Sequence, residues 1–567
     1  MMRGLEQAAQ KLGLEVEKKP AKKQVVRSQP SAQEVPMMYR AQVKGRCSLQ
    51  FASEDQDLER WTEEWVDPQD QQPRYQRSRP QMGKDGTVYR FQVEFPFRLF
   101  SNCGQDSIHR PVMGKNGIPF LPGSSVKGLF RRACLKSDRQ HNRSAEQSKA
   151  RLYCGDQEVP GCLRFHGAYP VGNWANRMVD VVHPQQKQQV QGEGTPNALA
   201  LISLYRPEMV FEFSSQNTEI DWQEVRWLLV ETLQFGVGGK TSTGYGLGGN
   251  FVGQPLITPN YPIRVELKVV GVSSLLRTDV PEFRPNMFKA SLRGHVLRLL
   301  AGVCTDEKIV QKEADRLFGN TQQPGVVQLL WQSRQPEKYD TTGKNPTYEA
   351  HGFLHLNVPL TDQDFLNGVL RFGFIMGGFG KSWRRVWHDR FYPKYKKFAI
   401  GCHWESPDLN DINTSSDLQQ FLAKLHQDCA DKLGIGSPKS LIWKEAWHPN
   451  RVAIYSKVVS QSAAISLFHQ PIGHPYKLTP AICGRQLVVK RRIRNDREVD
   501  EEKEELVFSS VWHRMLPVHD GQYLEIMTVF HGNRKPWKHQ EEDQLLSFIA
   551  NVESLKFKLT WGSRPTH

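Results

Sequence analysis

The chain has 567 residues, with 75 Lys plus Arg against 60 Asp plus Glu and a formal charge of +15. A surplus of that size suits a polyanionic partner, because each neutralised phosphate releases counterions. No apolar run reaches transmembrane length, the start MMRGLEQAAQKLGLEVEKK lacks a hydrophobic signal core, and nine cysteines form no CxxC pair. Membrane insertion and a disulfide framework are therefore not expected, and a reducing cytoplasm is.

In chain order, residues 1–38 read as a basic, polar arm, with SQPSAQEVP as linker and a cationic run from Lys18 to Arg27. VYRFQVEFPFRLF (88–100) has strand character. GIPFLPGSSVKG (117–128) then gives way to a basic helix start, LFRRACLK. Ser124, Ser125 and Lys127, followed by Arg131 and Arg132, sit where outward N–H groups and a helix N-terminus would hold a phosphate. The plain alternative is a β-turn with Ser125 as N-cap. Residues 172–198 include a stretch rich in Gln and Gly, HPQQKQQVQGEG. MVFEF (209–213) reads as a strand, and DWQEVRWLLVETLQ as a helix with Val225, Leu228, Leu229 and Leu233 on one face.

That helix feeds FGVGGKTSTGYGLGG (235–249), where Gly238 and Gly239 leave room for a close backbone approach. Lys240, Thr241, Ser242 and Thr243 add one cation and three hydroxyls, a phosphate-contacting set. The pattern is not a Walker loop, since no GxxxxGK[ST] precedes a helix. A flexible structural loop is the alternative.

After the strand-like IRVELKVVGV (263–272), the second half repeats the first in weakened form. NMFKASLRGHVLRLL (286–300), with Lys289 and Arg293, echoes SSVKGLFRRACL. ADRLFGNTQQPGVVQLLW (314–331) echoes ARLYCGDQEVPGCLRF (150–165), and MGGFGKSWRRVW (376–387), with Lys381, Arg384 and Arg385, echoes the glycine-rich loop. Three blocks in one order indicate a duplicated domain. Basic runs at 131–151, 381–397 and 490–497 add to the footprint, and Trp383, Trp387, Phe391 and Tyr395 within one of them offer rings for base stacking. Cys134, Cys154, Cys162 and His166 fit no common zinc spacing, so no metal is assigned. The chain ends in strand-like GQYLEIMTVF and LKFKLTW.

The succession PGSSVKGLFRR, LYCGDQEVPGCLRF and FGVGGKTSTGYG, with MVDVVHP (178–184) and TPNALALISL between the last two, resembles the RAMP superfamily of CRISPR-associated proteins. The resemblance is to Cas-seven-like backbone subunits of type III effector complexes, the first half being most like a Cmr-type terminal subunit. It covers residues 90–255 well and 260–400 weakly, where the PGSS element is lost, and no motif is recognised beyond 400.

The resemblance implies an α+β chain of two ferredoxin-like (RRM-like) RAMP domains with large insertions. The first would span 39–258 and the second, divergent one 259–400, with 401–567 an extension that completes or decorates the second. It implies the guide RNA, complementary target RNA, other RAMP subunits and a Cas-ten-like subunit as partners, and no tightly bound cofactor. Target cleavage in the family is attributed to an acidic residue upstream of the PGSS element. Here that loop, NCGQDSIHRPVMGKNG, offers Asp106, with His109 as proton carrier, Arg110 as phosphate clamp and Mg2+ as the cation if RNA is cut. In the second half Asp279 stands closer to the repeated helix. A phosphate-metabolite or nucleotide-binding enzyme using the glycine-rich loop is the alternative from another class.

Overall fold

The expected first strand is β1 (Val88–Glu94) of a computed structural model that describes residues 66, 72–73 and 88–566. Residues 102–109, 115–116, 183–185, 193–198, 255–259, 277–279, 321, 393, 395–398, 471–473, 495–496 and 540 lie outside the described set. After β1 come α1 (Gly123–Gln140), α2 (Lys149–Cys154) and β2 (Leu163–Val171). An inserted hairpin, β3 (Val179–Val182) with β4 (Leu199–Ile202), leads to β5 (Glu208–Ser215). The helix expected from DWQEVRWLLVETLQ is α3 (Trp222–Gln234). Asp221 caps it by accepting from the Gln223 and Glu224 amides, and Val225, Leu228, Leu229 and Leu233 are buried at helical spacing. The short strand β6 (Asn250–Phe251) closes the unit. The sheet order is β2-β5-β1-β6, antiparallel throughout, with Phe91 opposite Phe211. This is the βαββαβ ferredoxin-like arrangement.

The arrangement recurs. β7 (Ile263–Val272), α4 (Asn286–Ala301), α5 (Glu307–Phe318), β8 (Gln328–Ser333), β9 (Lys338–Asp340), β10 (Thr347–Asn357), α6 (Gln363–Met376) and β11 (Cys402–Glu405) form a sheet of order β11-β7-β10-β8, with β9 on β10. Residues beyond 405 build a third sheet. α7 (Ser415–Leu433) starts at a Thr414–Asp417 capping box and leads to β12 (Val452–Val459). A long hairpin, β13 (Arg485–Arg494) with β14 (Arg497–Leu506), precedes β15 (Val511–Pro517), β16 (Tyr523–Phe530), α8 (Leu545–Ser554) and β17 (Lys558–Gly562). Its order, β15-β16-β12-β17, repeats the first two sheets although no sequence motif announces it.

The second and third sheets share one core. Leu354 and Leu356 of β10, Phe372 of α6, Leu422 of α7, Ile454 of β12 and Trp512 of β15 belong to a single buried cluster. α4 lies inside this sandwich and is buried on every side, unlike α1, whose outer face is open. A helix surrounded in this way must neutralise its own charges. Arg298 bonds Glu445 at 2.7 Å, both wholly buried, and Arg384 bonds the same carboxylate at 3.0 Å. Burial alone would raise the Glu445 carboxyl, but Arg384 and Arg298 hold it below the usual range.

Candidate nucleic-acid interface

Two glycine-rich loops meet at the first turn of α4. The first is pinned to the chain after β1: the Gly246 amide donates to Arg98 O at 2.8 Å, and the Val237 amide to Gly246 O at 2.9 Å. A Cβ on Gly246 would lie 1.9 Å from Val237 O, at φ +61°. The close approach that demands glycine here is therefore to the loop's own backbone. Lys240 adopts a left-handed conformation, φ 57°, and begins a single turn, Thr241–Thr243. The loop then passes α4, where a Cβ on Gly244 would sit 3.7 Å from the Asn286 amide nitrogen. The second loop arrives from the other side, its Gly380 packed against Met287.

Charges at this junction fall into two sets. Behind it, Arg98 bonds Glu282 at 2.7 Å, Arg284 bonds Asp180 at 3.4 Å, and Tyr245 donates to Asp180, all buried. In front, Lys289 donates to Ser242 Oγ at 2.9 Å, linking the glycine-rich loop of the first unit to the core helix of the second. Lys240, Lys289 and Lys381 have no ion-pair partner among the described residues. Burial, then Arg293, then Lys240 push the Lys289 amine down to about 7. Burial also depresses Lys240, partly offset by Asp180, and burial with Arg284 depresses Lys381. Burial lowers all three amines, and Lys240 lowers Lys289 further, so the junction favours an incoming anion.

On α1, Ser124, Ser125, Lys127 and Arg132 are exposed, as a phosphate-facing helix start requires. Ser125 is not the N-cap. The helix begins at Gly123 after Pro122, and the Ser125 amide already donates to Pro122 O at 3.0 Å. No side-chain cap covers the first turn.

Arg131 turns inward and donates to Gly155 O at 2.7 Å, and Arg293 donates to Gly319 O at 3.0 Å. The two glycines share φ near 77° and bridge to Pro160 and Pro324 respectively. The paired contacts give the internal repeat a physical meaning: each arginine ties its helix to the same kind of turn. Arg293 also pairs with Asp315.

Arg384 is committed to Glu445, whereas Lys381 and Arg385 are exposed in a cleft of about 720 Å³. Of the expected stacking rings, Trp383 and Trp387 are buried and Phe391 is half-buried against His403 and Tyr523. Trp383 and Trp387 are 3% and 7% exposed, and Trp383 packs edge-on against Trp512 in the core. Trp383 thereby adds aromatic area to the core shared by the second and third sheets.

The 490–497 run lies mostly on β13, where the register sets Lys490 opposite Glu501 and Arg491 opposite Asp500, so an acidic strand accompanies the basic one. In the 131–151 run, Lys136, Arg143 and Lys149 are ion-paired with Glu231, Asp138 and Glu224. Asp106, His109, Asp279, Tyr395 and the 18–27 run lie outside the described residues. Cys134 and Cys154 are buried neighbours, while His166 turns to Ser214 Oγ at 2.7 Å. Among the described residues no three His, Cys, Asp or Glu side chains converge on a metal position, and no helix is long and apolar enough to cross a membrane. Sequence reasoning missed the Arg98–Glu282 and Arg284–Asp180 pairs, because their members are 184 and 104 residues apart.

Residues 112–248 match the family model of the RAMP superfamily. Among solved structures, the chain is similar to a chain of the Type III-B Cmr-beta bound to cognate target RNA, at 17% identity over 31% of this chain and 61% of that one, TM-score 0.25. It is also similar to Cmr1 from Pyrococcus furiosus in its apo form, at 15% identity over 53% of this chain and 98% of that one, TM-score 0.34. Cmr6 from Pyrococcus furiosus matches at 16% identity over 29% of this chain and 98% of that one, TM-score 0.20. The chain thus spans about 61% of the length of the Cmr-beta chain it matches. No curated protein matches it.

Proposed function

We propose that this chain, a RAMP superfamily protein over residues 112–248, is an RNA-binding subunit of a type III CRISPR ribonucleoprotein. The observation that carries the reading is the junction at α4, where the first glycine-rich loop sets Lys240 and Ser242 beside Lys289 of the helix, neither amine having an ion-pair partner among the described residues. Backbone amides, hydroxyls and amines of that kind hold phosphates and ignore base identity. The exposed start of α1, with Ser124, Ser125, Lys127 and Arg132, adds a second phosphate contact on the same unit as the glycine-rich loop. Arg131, Arg293 and Arg384 act as braces within the fold. The partners in this reading are a guide RNA, its complementary target, other RAMP subunits and a Cas-ten-like subunit, in the cytoplasm.

If target RNA is cut, the same reading assigns the cut to Asp106 with His109; Asp106 would hold a divalent cation such as Mg2+, which would stabilise charge at the scissile phosphate. The direct test of RNA gripping is a salt titration of single-stranded RNA binding with wild type and a Lys127→Gln/Lys240→Gln variant. Each lost phosphate contact lowers the slope of log K against log salt by about 0.7. An unchanged slope with unchanged affinity rejects the reading.

A further inference from the structure

The cleft beside the second glycine-rich loop is bounded by all three units. Gln189 comes from the first-unit insertion, Lys381 and Arg385 from the loop after α6, and Phe508 from the segment that follows β14. Its volume, about 720 Å³, lies in the usual range for a small-molecule site, roughly 300–1,000 Å³, and is too small for a nucleic-acid duplex. None of the described residues lining it is acidic.

The charge balance of the walls is unusual. Arg284 and Arg384 also line the cleft, but each shares its carboxylate with another arginine: Asp180 serves Arg98 as well, and Glu445 serves Arg298 as well. Lys381 and Arg385 have no carboxylate partner among the described residues, and Arg384 Nε is buried with no hydrogen-bond partner. Although both side chains reach solvent, desolvation by the surrounding walls depresses Arg385, partly offset by Cys483, and, with Arg284, depresses Lys381. Phe508, half-buried, lies 5.2 Å from the Arg384 guanidinium carbon and presents an aromatic surface beside these cations.

We infer that this cleft binds a phosphorylated nucleotide, its terminal phosphate held by Lys381 and Arg385 and its nucleoside lodged against Phe508. Doubly charged phosphomonoesters match two cations lining one cleft without a carboxylate partner better than a singly charged diester link does. The ligand's source is either a free nucleotide or the phosphorylated end of an RNA strand. The inference does not rest on RNA gripping by the glycine-rich loop, since the cleft's cations differ from Lys127 and Lys240.

The test is isothermal calorimetry on the full chain at low salt with AMP, with 5′-phosphorylated diadenylate, and with the same dinucleotide lacking the phosphate. One saturable site for at least one phosphorylated probe is expected, with the unphosphorylated dinucleotide at least about tenfold weaker, which is about 1.4 kcal/mol. Lys381→Gln and Arg385→Gln alter exposed side chains and are expected to fold. Each is expected to weaken binding several-fold and the pair at least tenfold. AMP as tight as the phosphorylated dinucleotide identifies a free nucleotide, and a preference for the dinucleotide identifies a strand end. Absence of saturable binding, equal binding of the unphosphorylated probe, or wild-type affinity in the double variant overturns the inference. Because the salt titration uses Lys127 and Lys240, the two proposals fail separately.

Discussion

Lys289 allows the proposed RNA site to be tested through protons rather than affinity alone. Its amine is held at about 7 in place of its ordinary 10.5, by burial first and then by Arg293 and Lys240. In the free protein the folded state therefore prefers the neutral amine. The resulting stability penalty is absent above the unfolded value, grows as pH falls towards about 7, and is complete below it. A phosphate placed beside Ser242 and Lys240 reverses the preference by favouring the charged form.

Restoring the ordinary value is worth at most about 5 kcal/mol, at about 1.36 kcal/mol per pH unit. At about pH 8 the free amine carries roughly 0.1 proton and the phosphate-paired amine nearly one, so RNA binding takes up about 0.9 proton. Calorimetry of RNA binding in buffers of different ionisation enthalpy measures this directly. Wild type is expected to show the uptake and to lose affinity above neutral pH, while Lys289→Met is expected to show neither. No buffer dependence in wild type, or the same uptake in Lys289→Met, refutes the argument that Lys289 awaits a phosphate.

Other substitutions separate fold from function. Gly246→Ala, with its Cβ forced to 1.9 Å from Val237 O at φ +61°, is expected to lower the melting temperature sharply or abolish soluble protein. Gly128→Ala, on the open face of α1 with nothing within 4 Å, is expected to stabilise by about 0.5–1 kcal/mol in denaturant melts. Glu445→Gln strands Arg298 and Arg384 in the core and is expected to cost about 3–5 kcal/mol in the same measurement. Asp106→Ala is expected to abolish divalent-cation-dependent cutting of complementary RNA in the assembled complex while guide binding survives. Persistence of every cleavage product removes Asp106 from the chemistry.

Local signals carried much of the fold. Alternation in VYRFQVEF and IRVELKVVGV marked β1 and β7, and the apolar stripe of DWQEVRWLLVETLQ marked α3, because each pattern reports one buried face of one element. The repeated blocks were equally legible: Arg131 with Gly155 and Arg293 with Gly319 preserve one contact across both copies. The third sheet was not legible, since its strand order repeats without a shared motif and depends on pairings such as Ala453 with Val529.

For the proposed site, sequence alone offered residue types suited to phosphates, but not which of them face solvent. Lys127 and Lys289 stand at matching points of the repeat, yet one is exposed and the other 5% exposed, because only α4 is enclosed between two sheets. The same enclosure buried Trp383 and tied Arg384 to Glu445. A side chain's charge and shape are local properties. Whether its charge is neutralised depends on carboxylates that reach it only through tertiary packing, as Glu282 reaches Arg98 across 184 residues.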